Sequence, residues 1–181
     1  AIRDVYKRQD EGSKVCCYIE EFAIPTAPQY TALSYTWGSP YAVYDILING
    51  SSSRVPKNLW RFLHQARSLS DDLSGWFWID VLSINQCDVS ERGHQVNLLS
   101  STFATAKRVL AWLGPAYQDS DLALVALAKL DENSQKGKCH AKLWRGSIGH
   151  SMLGICSRSY WRRLWVFQEL RLAREVRLMC G

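Results

Sequence analysis

Apolar and polar positions along this chain follow two periods, one of strands and one of helices. Thr31-Ala-Leu-Ser-Tyr35 is a short apolar run closed by Trp37-Gly38-Ser39-Pro40, and it predicts a buried strand. Tyr44-Asp-Ile-Leu-Ile48, the turn pair Asn49-Gly50 and Ser53-Arg-Val55 predict a hairpin. Pro56 suits a helix start, and Leu59, Trp60, Phe62, Leu63 and Ala66 follow at helical spacing. Trp76-Phe-Trp-Ile79 running into Asp80-Val-Leu82 is apolar almost throughout, as in a strand covered on both faces. That reading puts Asp80 inside the strand, near its carboxyl end.

Asp88-Val-Ser-Glu91 has capping-box spacing, and Val96, Leu99, Phe103 and Ala106 then form a helical face. Arg108 to Leu113 predicts another buried strand, stopped by Gly114-Pro115. Asp119 to Leu130 predicts a helix capped by Asp119 or Ser120, and residues 131–150 an inserted loop. Trp161, Leu164, Trp165, Gln168 and Leu172 predict one face of a single helix from about Ser159 to Ala173. Glu175 to Cys180 predicts a last strand. With the hairpin and the insertion set aside, strands alternate with helices. The expectation is a three-layer α/β fold, a mostly parallel sheet with helices on both faces.

The chain has 181 residues, 47% hydrophobic and 12% aromatic, which excludes a disordered chain and fits one domain. Residues 1–9 are polar and aperiodic and resemble a translated adapter, so they are set aside within an N-terminal extension, 1–21. No run approaches about 18 apolar residues and no secretion signal is seen, so a cytoplasmic protein without membrane contact is expected. Its six cysteines then read as reduced thiols. Cys87 with His94, and Cys139 beside His140, are fragments of metal sites, and no metal is expected. The net charge of +5 gathers in Arg158, Arg162, Arg163, Arg171, Arg174 and Arg177. No nucleic-acid-binding motif accompanies them, so they read as a solvated face and no nucleic-acid partner is expected.

Ligands of open parallel sheets sit outside the carboxyl ends of the strands. Ser34, Tyr35 and Trp37 end the first strand, Asp80 lies at the second, and Asn85, Gln86 and Asp88 lead out of it. Glu169 follows Trp165 by one helical turn, so the two share a face. Each has a structural alternative. Asp88 caps a helix, Asp80 holds a loop, Asn85 and Gln86 bond backbone, the tryptophans pack a core, and Glu169 pairs with Arg162, Arg163 or another arginine.

Tyr30-Thr-Ala-Leu-Ser-Tyr-Thr-Trp-Gly38 resembles the opening motif of the fungal heterokaryon-incompatibility (HET) domain. Trp78-Ile-Asp-Val-Leu-Ser-Ile-Asn-Gln-Cys-Asp88 with Glu91-Arg92 and Gln95-Val96 resembles its central motif. Val109 to Gly114 and Tyr160 to Glu169 resemble the remaining two. The match runs over about residues 22–181, read as a HET domain shortened at its C-terminal end. Ser83 departs from it, standing where the family usually has Cys.

The resemblance implies non-self recognition and induced cell death when incompatible fungal cells fuse. HET domains are similar in turn to TIR domains, which implies a flavodoxin-like sheet. In TIR domains that cleave NAD, a Trp followed four residues later by Glu carries the catalytic carboxylate. The resemblance therefore implies Glu169 as catalytic residue. Ser34, Tyr35, Trp37, Gly38, Asp80, Asn85, Gln86 and Trp165 are the expected substrate-binding set. NAD is then a substrate, and no cofactor is expected. The competing class is a non-enzymatic module that self-associates or recruits partner signalling domains, with Glu169 in an ion pair.

Overall fold

The computed structural model describes residues 2–3, 6–7, 15–68, 75–85, 88, 98–117, 119–133 and 144–181. The strands are β1 (Ile2–Arg3), β2 (Tyr6–Lys7), β3 (Cys16–Tyr18), β4 (Glu21–Phe22), β5 (Tyr30–Tyr35), β6 (Val43–Ile48), β7 (Ser51–Pro56), β8 (Trp76–Trp78), β9 (Arg108–Trp112) and β10 (Val176–Met179). The helices are α1 (Lys57–Gln65), α2 (Asp80–Ser83), α3 (described over 98–105), α4 (Ser120–Asn133), α5 (Gly146–Cys156) and α6 (Val166–Leu172).

The central sheet is parallel throughout, in the order β8-β5-β9-β10. Every residue of β5 and β9 is buried, as their continuous apolar runs require of strands covered on both faces. Successive side chains point to opposite faces. Leu33, Tyr35, Phe77, Leu110 and Trp112 therefore pack toward Leu59, Phe62 and Leu63 of α1 and Ile46 and Val55 of the hairpin. Tyr30, Ala32, Trp78 and Val109 face Phe103 of α3, while Ala111 faces Ala123, Met152, Ile155 and Val166 of α4, α5 and α6. Helices thus lie on both faces.

The hairpin forms where Asn49-Gly50 places it. Both residues have positive φ, 49° and 82°, the signature of a turn that matches strand twist. Its arms belong to a second, mixed sheet in the order β2-β3-β6-β7, which shares the α1 side of the core. Ile2–Arg3 and Tyr6–Lys7, within the segment set aside on sequence, pair antiparallel with β4 and β3.

Three expectations are corrected. Asp80 does not lie in a strand: β8 ends at Trp78, and Asp80 opens the single helical turn α2. The loop expected over 131–150 includes the end of α4 and the start of α5. Three glycines lower the helix propensity of α5 and hide it from a propensity reading. One of them is required, since a Cβ on Gly149 would fall 2.5 Å from the Trp144 carbonyl carbon. The single helix expected over 159–173 is two pieces, a 3-10 turn over Ser159–Arg162 and α6, with Arg163 extended between them. Its expected inward face points out: Leu164 is 84% exposed, and Trp161, Trp165, Gln168 and Leu172 are also exposed. Tyr160, Val166 and Glu169 are the buried residues. The capping box at Asp88–Glu91 lies outside the described residues except for Asp88, which is exposed.

Candidate functional site

The break at Arg163 has a geometric reason. Nine residues of continuous helix turn through roughly 900°, which would set Tyr160 and Glu169 on opposite sides. With the helix broken, both reach Ser34 of β5. Tyr160 Oη lies 2.7 Å from Ser34 Oγ, and Ser34 Oγ donates a short hydrogen bond to Glu169 Oε2. Ser34 has one proton and gives it to Glu169, so Tyr160 donates to Ser34. Burial and the nearby Glu169 charge push the Tyr160 hydroxyl up to about 12, so it stays neutral and can act as that donor. Arg163 closes the cluster end-on, Nη1 to Glu169 Oε2 at 3.1 Å and Nη2 to Oε1 at 2.9 Å. Glu169 is 7% exposed, and this bidentate pair with the hydroxyl bond compensates its buried charge.

A cavity of about 490 Å³ opens beside the cluster. Its walls include Thr36, Trp37 and Gly38 after β5, Asp80 after β8, Leu99 and Phe103 of α3, and Arg163, Trp165 and Glu169. It therefore lies beyond the carboxyl ends of β5 and β8, where an open parallel sheet leaves room. Gly38 makes the turn out of β5 at φ +81°, a conformation other residues rarely adopt. Trp37 and Trp165, 41% and 44% exposed, present half-open rings to the cavity.

Trp37 is anchored from behind, its indole Nε1 donating to Asp80 Oδ2 at 2.8 Å. The Val81 N–H at the start of α2 holds Oδ1 at 2.7 Å. Desolvation raises the Asp80 carboxyl above the usual carboxylate range, against those two hydrogen bonds, Tyr35 and the Arg163 charge. Tyr35 leaves β5 on the α1 side. Its buried hydroxyl couples to Asp80 electrostatically but makes no hydrogen bond of standard geometry among the described residues.

The structure thus gathers Trp37, Gly38, Asp80, Trp165 and Glu169 around one cavity, with Ser34 behind Glu169 and Tyr35 behind Asp80. Asn85 is exposed and is not among the lining residues; Gln86 lies outside the described residues. Two further residues are not in the expected site set: Tyr160, whose only signal is its place at the start of the last motif, and Asn58, which has none. Asn58 Nδ2 donates to Thr36 O at 2.6 Å and its Oδ1 accepts from Trp112 Nε1, which ties the Trp37 loop to the sheet.

Residues 30–169, from the first strand of this site to its carboxylate, match the family model described as heterokaryon incompatibility protein (HET). The chain belongs to the HET family. It is similar to heterokaryon incompatibility protein 6, OR allele, of Neurospora crassa, at 27% identity over an alignment of 210 positions covering 91% of this chain. The chain spans 30% of the length of that relative. No solved structure matches this HET chain significantly. In this HET domain three of the four motifs line the cavity: the first supplies Trp37 and Gly38, the second Asp80, and the last Arg163, Trp165 and Glu169, with Ser34 of the first behind Glu169. The third contributes the central strand β9 and no cavity wall among the described residues.

Proposed function

We propose that this HET domain acts in heterokaryon incompatibility by cleaving NAD, the loss of which triggers death of the fused cell. The observation that carries the reading is a buried carboxylate, Glu169, on the wall of a cavity flanked by the half-open rings of Trp37 and Trp165. The tryptophans suit a planar nicotinamide or adenine ring. The central sheet order, 2-1-3-4 counted along the chain, is that of flavodoxin-like folds and supports the TIR-like reading.

The chemistry asks for little from the protein. The bond between ribose C1′ and the pyridinium nitrogen breaks, and its electron pair leaves with neutral nicotinamide. No proton has to be supplied to the leaving group. The sugar becomes an oxocarbenium, and the Glu169 carboxylate, fixed by Ser34 and Arg163, stabilises the positive charge in an apolar pocket. Water adds at C1′ and its proton passes to solvent.

Purified protein incubated with NAD should release nicotinamide, and Glu169→Gln should lower the rate at least ~100-fold with the fold kept. Undiminished release by that variant would remove Glu169 from the reaction. Gln is the better substitution than Ala, because Ala would leave the Arg163 fork without an acceptor.

A second reading, a non-enzymatic interaction module, is favoured by one observation. Leu164 and Phe167, 84% and 72% exposed, stand in a sequence otherwise rich in core residues. Concentration-dependent association of the purified domain, with no nicotinamide release by the associated form, would favour it.

A further inference from the structure

Arg163 makes an incomplete set of hydrogen bonds. A guanidinium carries five N–H donors in a planar fork. Two go end-on to Glu169, one from Nη1 and one from Nη2, and Nη1 also lies 3.4 Å from Ser34 Oγ, the neighbour of that carboxylate. The Nε–H and the second Nη2–H remain, and these two lie on one edge of the fork. They have no partner among the described residues. A pair of parallel N–H groups on one edge fits two oxygens of a phosphate. Arg163 lines the cavity with 21% of its side chain exposed, and among the described residues it is the basic side chain of that lining.

We infer that the free edge of Arg163 is the phosphate-recognition site of the cavity, so that one guanidinium grips the substrate phosphate and the Glu169 carboxylate together. The inference rests on the nucleotide reading above and names its substrate class: phosphorylated nucleotides rather than neutral nucleosides. Arg163 is then a recognition and positioning residue. Its end-on bonds set the carboxylate, and its side-on bonds set the phosphate at a fixed offset from it. Lysine keeps a positive charge for Glu169 but has no second edge, so the phosphate contact is the one it loses.

The test compares NAD with nicotinamide riboside, which has the same scissile bond and no phosphate. Arg163→Lys, shown by circular dichroism to be folded, should lose about 10- to 100-fold in kcat/KM on NAD, the worth of a charged bidentate contact, and much less on the riboside. Equal losses on both substrates would make Arg163 a partner of Glu169 alone and overturn the inference.

A binding arm separates this outcome from failure of the NAD reading. In calorimetry the wild-type chain should bind ADP-ribose more tightly than adenosine, with the preference lost in Arg163→Lys, whether or not nicotinamide is released. No preference in the wild type, or an unchanged one in the variant, overturns the inference. Arg163 also borders an outer groove with Phe167 and Arg171. Trp37→Ala should weaken ADP-ribose binding and Phe167→Ala should not; the reverse result would place the phosphate in the outer groove and overturn the cavity assignment.

Discussion

Asp80 is costly where it stands. It is partly buried, its carboxyl raised by desolvation, and it is held by the Trp37 indole and the Val81 N–H. A carboxyl whose folded pKa lies above its unfolded one stabilises the fold below the unfolded value, and that contribution is lost as pH rises through the folded value. Wild-type stability should therefore fall relative to Asp80→Asn as pH rises from about 4 toward neutrality, by urea unfolding at each pH. A difference independent of pH would show that the carboxyl is not desolvated. A charge kept at such a cost beside a cavity marks a site, here one that aims a tryptophan ring. Glu169 shows the same logic with the cost compensated, because Arg163 and Ser34 occupy its oxygens. Trp37 was legible as an aromatic at a strand end, and Glu169 as a carboxylate one helical turn after Trp165. Which of the candidates pair was not, since Ser34 and Glu169 are 135 residues apart in sequence and Arg163 was one of several arginines open to Glu169.

Among the elements, α6 departs furthest from its sequence pattern. Trp161, Leu164, Trp165, Gln168 and Leu172 repeat at helical spacing, yet the helix breaks at Arg163 and turns these side chains outward. Periodicity identifies a face but not its direction, and the polar cluster of Tyr160, Ser34, Glu169 and Arg163 decides the direction here. Phe167→Asp should consequently change stability by less than about 0.5 kcal/mol, because the ring is exposed and an acidic residue suits the first turn of a helix. A drop beyond about 1 kcal/mol in urea unfolding would show that the ring is packed. The strands β5 and β9 were readable for the opposite reason. A strand buried on both faces is apolar at most positions, and few other short segments share that pattern.

At the scale of the whole molecule, the central sheet lies between α1 with the second sheet and the helices α3 to α6. Phe62 joins two of these layers. It is fully buried and meets Phe77 edge-on at 5.5 Å and Trp112 at 5.8 Å between ring centroids. Phe62→Ala should cost about 3–5 kcal/mol in unfolding free energy, from lost transfer energy and the cavity left behind. A loss under about 1 kcal/mol would mean that the layer collapses to fill the gap. The second sheet extends what a lone hairpin offers. Asn49, in the turn, bonds Ile19 N at 2.9 Å and Ile19 O at 3.1 Å, which fastens the hairpin to the chain that follows β3.

The sequence by itself determined the strands of the central sheet, the hairpin, α1 and membership of the HET family. Those features rest on local periodicity, turn chemistry and ordered motifs, each contained in a few neighbouring residues. Tertiary structure alone decided where the last helix breaks, which of its faces is buried, and that Arg163 rather than another arginine pairs Glu169. These depend on which groups meet across the sheet. A buried carboxylate must find donors wherever the fold brings them, and it found them on β5 and in the interruption of its own helix.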